Sequence, residues 1–543
     1  MIWALCITRK WVLRLVLIGI CFISSCSAVG RTKVRALGGY ERLLSRLTPG
    51  TNSLSLSHAS AVVLNKRIER EVLVEAVTVV MEKQPMLRSY IDRPEAGEYN
   101  WMYCDKPLSD LAKDVVTTVQ VDSLVEGWQA QMQASLNNVE FVEQGPLWRL
   151  INVESLTSDQ SAWVFCVNHG ADDQRSVNSV IGDLVASCNA IKDKGEGVGV
   201  IGEPLTFPES MEDAMVQGAQ FPLPQTLCWA AFQVANSLRM PAMIPWHISR
   251  GAKNKETRFQ DPNERETFCE FLHLDEGTVT SLRNKGRGRG VTLTSVLSAA
   301  MLSITNAAIQ TQGKRTMKPL VDLPLRFLLS VDLRPYGSQI SMSKGGVFTE
   351  DWTGGAVACA AGAVDYVIKV PEAASREEGQ EDEEQVWQLA QRCQDNSRRI
   401  ISDFSWVPES VRLFGFGMRY AQVLPLVEAD AKSSRSLGRG FSCGVSNMGL
   451  AKFPQVPRPQ GSSGDKSNPG GGDNSDLKVE QVYYGTSHAR NGVLCQLSCM
   501  SVQSDNSSPF YGTLQFTKPL ISREDARVMR DRLVALLTRL AKE

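Results

Sequence analysis

The sequence predicts an α/β fold of two similar lobes, each a mixed sheet with helices. Three observations support this. The chain has 543 residues, which is enough for two or more hydrophobic cores. Residues 162–168 form a continuous apolar run rich in β-formers, followed by a helical pattern. A second series of strand and helix patterns begins near Glu266, so the two halves share a coarse rhythm.

In the first half, one histidine lies between a predicted strand and a predicted helix. Apolar residues at helical spacing between Leu73 and Val80 predict a helix, which Pro85 ends because it has no amide hydrogen to donate. The run at 162–168 predicts a strand buried on both faces. An i, i+3, i+4, i+7 pattern over 177–188 predicts an amphipathic helix. His169 is therefore expected at the end of a buried strand, just before a helix.

The second half has a similar series of patterns. Strands are predicted at 267–273, 327–333, 479–484, 493–501 and 511–516, and helices at 278–284, 292–307 and from Ser522 to Leu540.

These elements divide the chain into four parts. They are a leader (1–34), an N-terminal lobe (35–192), a crossover rich in Gly and Pro (193–262) and a C-terminal lobe (263–543). Two inserts in the C-terminal lobe, near 373–385 and 455–477, are predicted to be disordered, because neither can bury enough apolar surface to offset the entropy of ordering.

The leader resembles a targeting signal. Arg9 and Lys10 precede a nine-residue apolar run, Leu15–Ile23, and small residues follow it. This is typical of a secretory signal peptide, and Cys26 is placed as in a lipobox anchor. The run is shorter than the roughly 20 residues of a membrane span. A signal peptide or anchor predicts a secreted or membrane-anchored protein. A gene start assigned too early, the alternative, leaves the protein in the cytoplasm.

Composition excludes several classes of function. The formal net charge is -1, so no basic field attracts nucleic acid. The 13 cysteines include no Cys-x-x-Cys pair and no cluster with zinc-ligand spacing, so they are interpreted as buried thiols and no metal site is predicted. We expect a monomer.

Histidines are scarce, and one has the context of a general base. Of the five, His58 and His273 lie among apolar neighbours and are interpreted as core or lobe-edge residues. His169 follows a buried strand, with Asp173 four residues later. A neutral imidazole held rigidly in a cleft can deprotonate a hydroxyl or an amine.

The segment around His169 resembles a known motif. Asn168-His169-x-x-x-Asp173 is similar to the HHxxxDG motif of the chloramphenicol-acetyltransferase-like superfamily, which includes condensation domains, alcohol acetyltransferases and polyketide-associated acyltransferases. Further segments resemble family segments in the same order over roughly residues 35–540: LGGYER at 37–42, QPMLR at 84–88, GVTLTSVLSAA at 290–300, VDLRP at 331–335 and SNMG at 446–449.

The resemblance implies a fold and roles for single residues. Two chloramphenicol-acetyltransferase-like lobes would enclose a central channel. His169 would be the catalytic base, and Asp173 would be structural, paired with Arg334 rather than with His169. Cleft-lining roles would fall to Asn168, Gln174, Ser446 and Asn447, the last near the oxyanion.

The implied activity is acyl transfer. The resemblance implies an O- or N-acyltransferase that moves an acyl group from coenzyme A, or from the phosphopantetheine thioester of an acyl-carrier protein, to a small alcohol or amine. The thioester would be a co-substrate, and no bound cofactor is expected.

The motif is matched with two departures, and one of them, Gln174, together with the leader, keeps an alternative open. Asn168 replaces the first motif histidine, and Gln174 replaces the motif glycine beside the donor channel, where a side chain could crowd a pantetheine arm. A catalytically altered, condensation-like binding or scaffold protein is the alternative function. A secreted hydrolase has weaker support, because no Gly-x-Ser-x-Gly motif is present.

Overall fold

The structure is a computed structural model that describes most of the chain. The described residues are 32–45, 56–93, 98–137, 141, 144–194, 202–216, 261–315, 324–334, 355–371, 382–403, 411, 415, 428–433, 437–453, 476–504 and 507–542. Almost all of the predicted leader, most of the crossover and most of both predicted inserts lie outside these residues.

The described residues form strands and helices in both halves of the chain. The strands are β1 (Lys33–Ala36), β2 (Ser57–Leu64), β3 (Ser89–Asp92), β4 (Asn100–Tyr103), β5 (Val116–Val121), β6 (Trp148–Ser155), β7 (Ser161–Asn168), β8 (Glu266–Leu274), β9 (Leu325–Asp332), β10 (Ala361–Ile368), β11 (Arg439–Ala451), β12 (Val479–Thr486), β13 (Gly492–Val502) and β14 (Phe510–Lys518). The helices are α1 (Gly39–Ser45), α2 (Arg70–Lys83), α3 (Leu108–Val115), α4 (Leu124–Asn137), α5 (Gln174–Lys194), α6 (Met211–Val216), α7 (Glu276–Gly288), α8 (Leu293–Arg315), α9 (Glu383–Arg398) and α10 (Arg523–Lys542).

The first sheet carries the histidine singled out above. Its five strands have the order β12-β2-β7-β6-β5, and only β5 and β6 run parallel. Every residue of β2 and β7 is buried, and α4 packs against both strands. The predicted buried strand at 162–168 and the helix after it are therefore confirmed, and His169 directly follows β7.

The second sheet is also mixed, and it has its own core. Its order is β10-β9-β11-β13-β14-β8, with β11 parallel to both β9 and β13. Helix α8 packs against β11, α9 and α10. Within the described part of the chain, the Leu293–Gln310 segment of α8 is the one stretch long and apolar enough to cross a membrane. Because 72% of it is buried in the molecule, it occupies the position of a core helix.

Two large hydrophobic clusters are present, and each contains residues from both halves of the chain. Strand β12 comes from the C-terminal part and pairs with β2 of the first sheet, so residues 263–543 do not form the C-terminal lobe alone. Its pattern of buried residues predicts a strand but carries no information about the sheet that the strand joins. A small third sheet, β1-β4-β3, begins at Lys33, within the range predicted as leader.

The ends of the two predicted inserts are wrong where the structure describes them. Helix α9 begins at Glu383, inside the predicted insert, because the Asp382 side chain accepts a hydrogen bond from the Gln385 amide and caps the helix. Leu477, in the second insert, is buried in the first core. All nine cysteines among the described residues are free, and seven are buried, including Cys166 and Cys188 of the N-terminal lobe.

One buried ion pair joins the turn after β7 to the second sheet. Arg334 follows β9 and donates to both carboxylate oxygens of Asp173, at 2.8 and 3.1 Å. The backbone amides of Ser176 and Ala360 donate to the same carboxylate. Burial would raise the pKa of Asp173, but the Arg334 charge and these four hydrogen bonds outweigh it and hold the pKa below its usual value. The expected contact between Asp173 and Arg334 is therefore present.

The ion pair should be a main determinant of stability. We expect Arg334→Met to lower the free energy of unfolding by about 3–5 kcal/mol, because it leaves the Asp173 carboxylate buried without its partner. The double variant with Asp173→Asn should lose less than the sum of the two single variants. Denaturant unfolding of the four proteins measures this, and additive losses would contradict it.

The same pair predicts a pH dependence. Because the pKa of Asp173 is lower in the folded state, its contribution is complete above the unfolded value, about 3.9. It is lost as the pH falls through the folded pKa. The difference in stability between wild type and Asp173→Asn should therefore shrink towards pH 3, as measured by unfolding at a series of pH values. A constant difference would show that the charge of Asp173 contributes nothing.

Candidate active site

A tight turn after β7 presents the candidate base. The Ala171 amide donates to the Asn168 carbonyl, and the Gly170 amide donates to the Asn168 side-chain oxygen at 2.9 Å. The Asn168 side chain also donates to the Ser45 carbonyl and is completely buried. Asn168 therefore braces the turn and does not line a cleft, which corrects the expectation. Its short side chain makes these bonds to nearby backbone groups.

The opening segment of the chain packs directly on this turn. A Cβ atom on Gly170 would lie 2.8 Å from the Glu41 carbonyl oxygen and 2.8 Å from the Ser45 Cβ, so only glycine fits here. Glu41 is itself buried and fixed by Arg35, by the Gly38 amide and by the Trp101 indole. The LGGYER segment thus supports the loop that carries His169.

The imidazole of His169 is held in one tautomer. Its Nδ1 lies 2.9 Å from the Asp172 carbonyl oxygen, which can only accept, so Nδ1 carries the hydrogen. In the neutral ring Nε2 is then the basic atom. Burial lowers the pKa of His169, the nearby His58 lowers it further, and Asp172 and Asp173 only partly oppose this. His169 as a whole residue is partly exposed, unlike Asn168 before it and Gly170 after it.

A second histidine lies beside the first, and the sequence interpretation missed it. His58 on β2 has its ring centroid 5.5 Å from that of His169. Its Nδ1 lies 3.1 Å from the Asp172 carboxylate, and its Nε2 lies 2.9 Å from the Gln174 side-chain oxygen. A signal was present, since a histidine in a buried strand needs polar partners, and Ser57 and Ser60 lie close to it in the sequence.

Gln174, at the position of the motif glycine, points to the interior. Its carbonyl oxygen accepts from Ser60 Oγ at 2.7 Å as well as contacting His58, and its amide donates to Asn178 at 2.8 Å. The side chain is only 4% exposed. Gln174 is therefore held in a buried polar cluster with His58, Ser60 and Asn178, which corrects the expectation that it lines the cleft.

Ser446 is connected to the site through Tyr484, whereas Asn447 contacts α8. The Tyr484 hydroxyl donates to the Ser446 carbonyl at 2.6 Å, and the Tyr484 ring lies edge-on to His58 with the centroids 6.2 Å apart. The Asn447 side chain donates to Thr294 in the first turn of α8. The segments at 446–449 and 290–300, noted separately in the sequence, therefore meet in space. The oxyanion role of Asn447 stays a prediction.

Mutual hydrogen bonds explain the closeness of the two histidines and Asp172. One potential ligand atom from each of His58, His169 and Asp172 lies within 4.8 Å of the others. Both ring nitrogens of His58 and one of His169 already face oxygen partners, so the arrangement is accounted for without an ion. What remains available for chemistry is His169 Nε2.

Comparison with solved structures places the fold. The trichothecene 15-O-acetyltransferase from Fusarium sporotrichioides is 12% identical with a TM-score of 0.62, over 95% of this chain and 97% of that chain. Polyketide synthase associated protein 5 from Mycobacterium tuberculosis is 14% identical with a TM-score of 0.55, over 94% and 98%. The condensation domain from the monacolin K polyketide synthase MokA is 12% identical with a TM-score of 0.57, over 94% and 98%. At these identities the likeness shows the two-lobed fold.

Sequence comparison gives the family. No curated protein matches the chain. Residues 57–343, more than half of the chain, match the alcohol acetyltransferase family, a range that includes His58, the turn with His169, and Arg334. The predicted superfamily is confirmed, and this chain belongs to the alcohol acetyltransferase family.

Proposed function

We propose that the protein transfers an acyl group from a thioester, coenzyme A or a carrier-protein phosphopantetheine, to the hydroxyl of a small alcohol, with His169 as the general base. The observation that carries the proposal is the hydrogen bond from His169 Nδ1 to the Asp172 carbonyl, which leaves Nε2 as the basic atom. The lowered pKa of His169 keeps this atom unprotonated near neutral pH.

The proposed reaction has two proton transfers at one atom. His169 Nε2 takes the proton from the acceptor hydroxyl as its oxygen attacks the thioester carbonyl carbon. A tetrahedral oxyanion forms. When it collapses, the carbon–sulfur bond breaks and the thiolate takes the proton back from Nε2. The products are the ester and the free thiol, and His169 returns to its starting state. An amine acceptor would react in the same way.

The alternative, a non-catalytic binding protein, rests on the leader and on Gln174 crowding the donor channel. The second ground is weakened, because the Gln174 side chain is engaged with His58, Ser60 and Asn178. We therefore favour the enzyme over the scaffold.

Replacing the base should abolish most of the activity. We expect His169→Ala to lower kcat/KM for acyl transfer by about 10²–10⁴-fold, the usual contribution of a general base. Thiol release from acyl-coenzyme A, followed with a panel of alcohols, measures this, and a carrier-protein thioester provides the second donor. His273→Ala is the matched control, because His273 is exposed on the edge strand β8. Equal rates for His169→Ala and wild type would contradict the proposal.

Donor binding should be visible without turnover. A ligand that binds only the folded protein stabilises it, by about 2.7 kcal/mol at a concentration 100 times its Kd. We therefore expect coenzyme A to raise the Tm of the wild-type protein and of His169→Ala equally. ATP, which lacks the pantetheine arm, serves as the control. If coenzyme A does not raise the Tm, the donor is either a carrier-protein thioester or absent. A rate assay with an acyl-loaded carrier protein distinguishes these two cases.

A further inference from the structure

The second imidazole of the site, His58, has acceptors on both ring nitrogens. Nδ1 faces the Asp172 carboxylate at 3.1 and 3.3 Å, and Nε2 faces the Gln174 side-chain oxygen at 2.9 Å. The Gln174 amide is orientated by its own bonds, since its nitrogen donates to Asn178 and its oxygen accepts from Ser60. A neutral imidazole has one N–H and can satisfy only one of these acceptors. With the Gln174 amide in this orientation, the geometry favours the imidazolium form.

This charge lies in the interior. His58 is 2% exposed and Asp172 is 1% exposed, so the ion pair between them has almost no contact with solvent. A buried charge is tolerated only with an opposite charge and with hydrogen bonds to its remaining donors. Asp172 supplies the charge and Gln174 the second bond. Burial would lower the pKa of His58, but Asp172, Gln174 and the more distant Asp173 outweigh burial and raise it.

Asp172 connects the two histidines through different atoms. Its carboxylate pairs with His58, and its backbone carbonyl accepts from His169 Nδ1. The position of Asp172 therefore fixes the ring and tautomer of His169. Among the described residues, the charged groups that face His169 are His58 on β2 and the two aspartates of the turn, Asp172 and Asp173, the second already neutralised by Arg334. Strand β12 adds the neutral Tyr484 against His58.

We propose that His58 is a positioning residue for the acyl-transfer reaction: a buried imidazolium that holds Asp172 in place and, by its charge, keeps His169 neutral and ready to accept a proton. The proposal rests on the proposed function of His169. It also explains the departure at position 174, because a glycine could not supply the acceptor that His58 Nε2 requires, and Gln174 can.

A direct test reads the protonation states without substrate. Protein labelled with ¹⁵N-histidine contains five labelled residues, which single substitutions assign. Near pH 7.5 we expect both ring nitrogens of His58 to be protonated and His169 to be the neutral Nδ1–H tautomer. A neutral His58 at this pH overturns the proposal. This measurement uses the wild-type protein, so it does not depend on the folding of a variant.

The second test asks whether His58 sets the behaviour of His169. We expect His58→Gln to raise the pKa of His169, because a positive charge is removed and Asp172 is left unbalanced. The acid limb of the kcat/KM profile should then move to higher pH. His273→Gln, on the edge strand of the other sheet, should leave both unchanged. A purely structural role for His58 would lower activity without moving the acid limb, and this would contradict the proposal.

The two proposals fail in different ways. If His169→Ala keeps full activity while His58 is an imidazolium, His169 is not the base, and the proposed function falls. If His169→Ala is inactive but His58 is neutral, or the titration of His169 does not respond to His58→Gln, the base stands and the role of His58 falls.

Discussion

The bidentate contact between Asp173 and Arg334 is the interaction on which the site depends. It ties the loop after β7, where the candidate base lies, to the end of β9 in the other sheet. Ser176, at the start of α5, and Ala360, just before β10, add donors to the same carboxylate. A single side chain thus fixes the turn, the helix after it and a strand of the opposite lobe. Asp173 serves as a brace, which leaves His169 free for chemistry.

Neighbouring residues of the motif have different roles, because each makes different contacts with the surrounding backbone and side chains. Asn168 closes the turn, Gly170 permits close approach of the opening segment, and Asp172 bonds both histidines. Only His169 keeps a basic atom that no described hydrogen bond occupies. The other residues of the motif therefore hold the turn in place, and the imidazole of His169 is left for proton transfer, as expected of a general base held by rigid elements.

Features that depend on residues close together in the sequence could be predicted from local patterns, and contacts between distant residues could not. The strand before His169 and the helix after it were predictable because their periodicity is local. The pairing of Asp173 with Arg334 came from family resemblance. The role of His58 was not predicted, because its contacts with Asp172 and Gln174 depend on the pairing of β2 with β7, more than 100 residues apart. The strand β12 was predicted, but the sheet that it joins was not. Asp382 is a residue type that caps helices, but the acidic composition around it favoured a prediction of disorder.

In the proposed reaction, His169 Nε2 accepts the proton of the acceptor hydroxyl. The most direct test is a crystal structure with coenzyme A and a bound alcohol acceptor. We predict the acceptor oxygen at about 2.6–3.2 Å from His169 Nε2, with Nδ1 still bonded to the Asp172 carbonyl. An acceptor oxygen bound to another group and beyond hydrogen-bonding distance of His169 would contradict it.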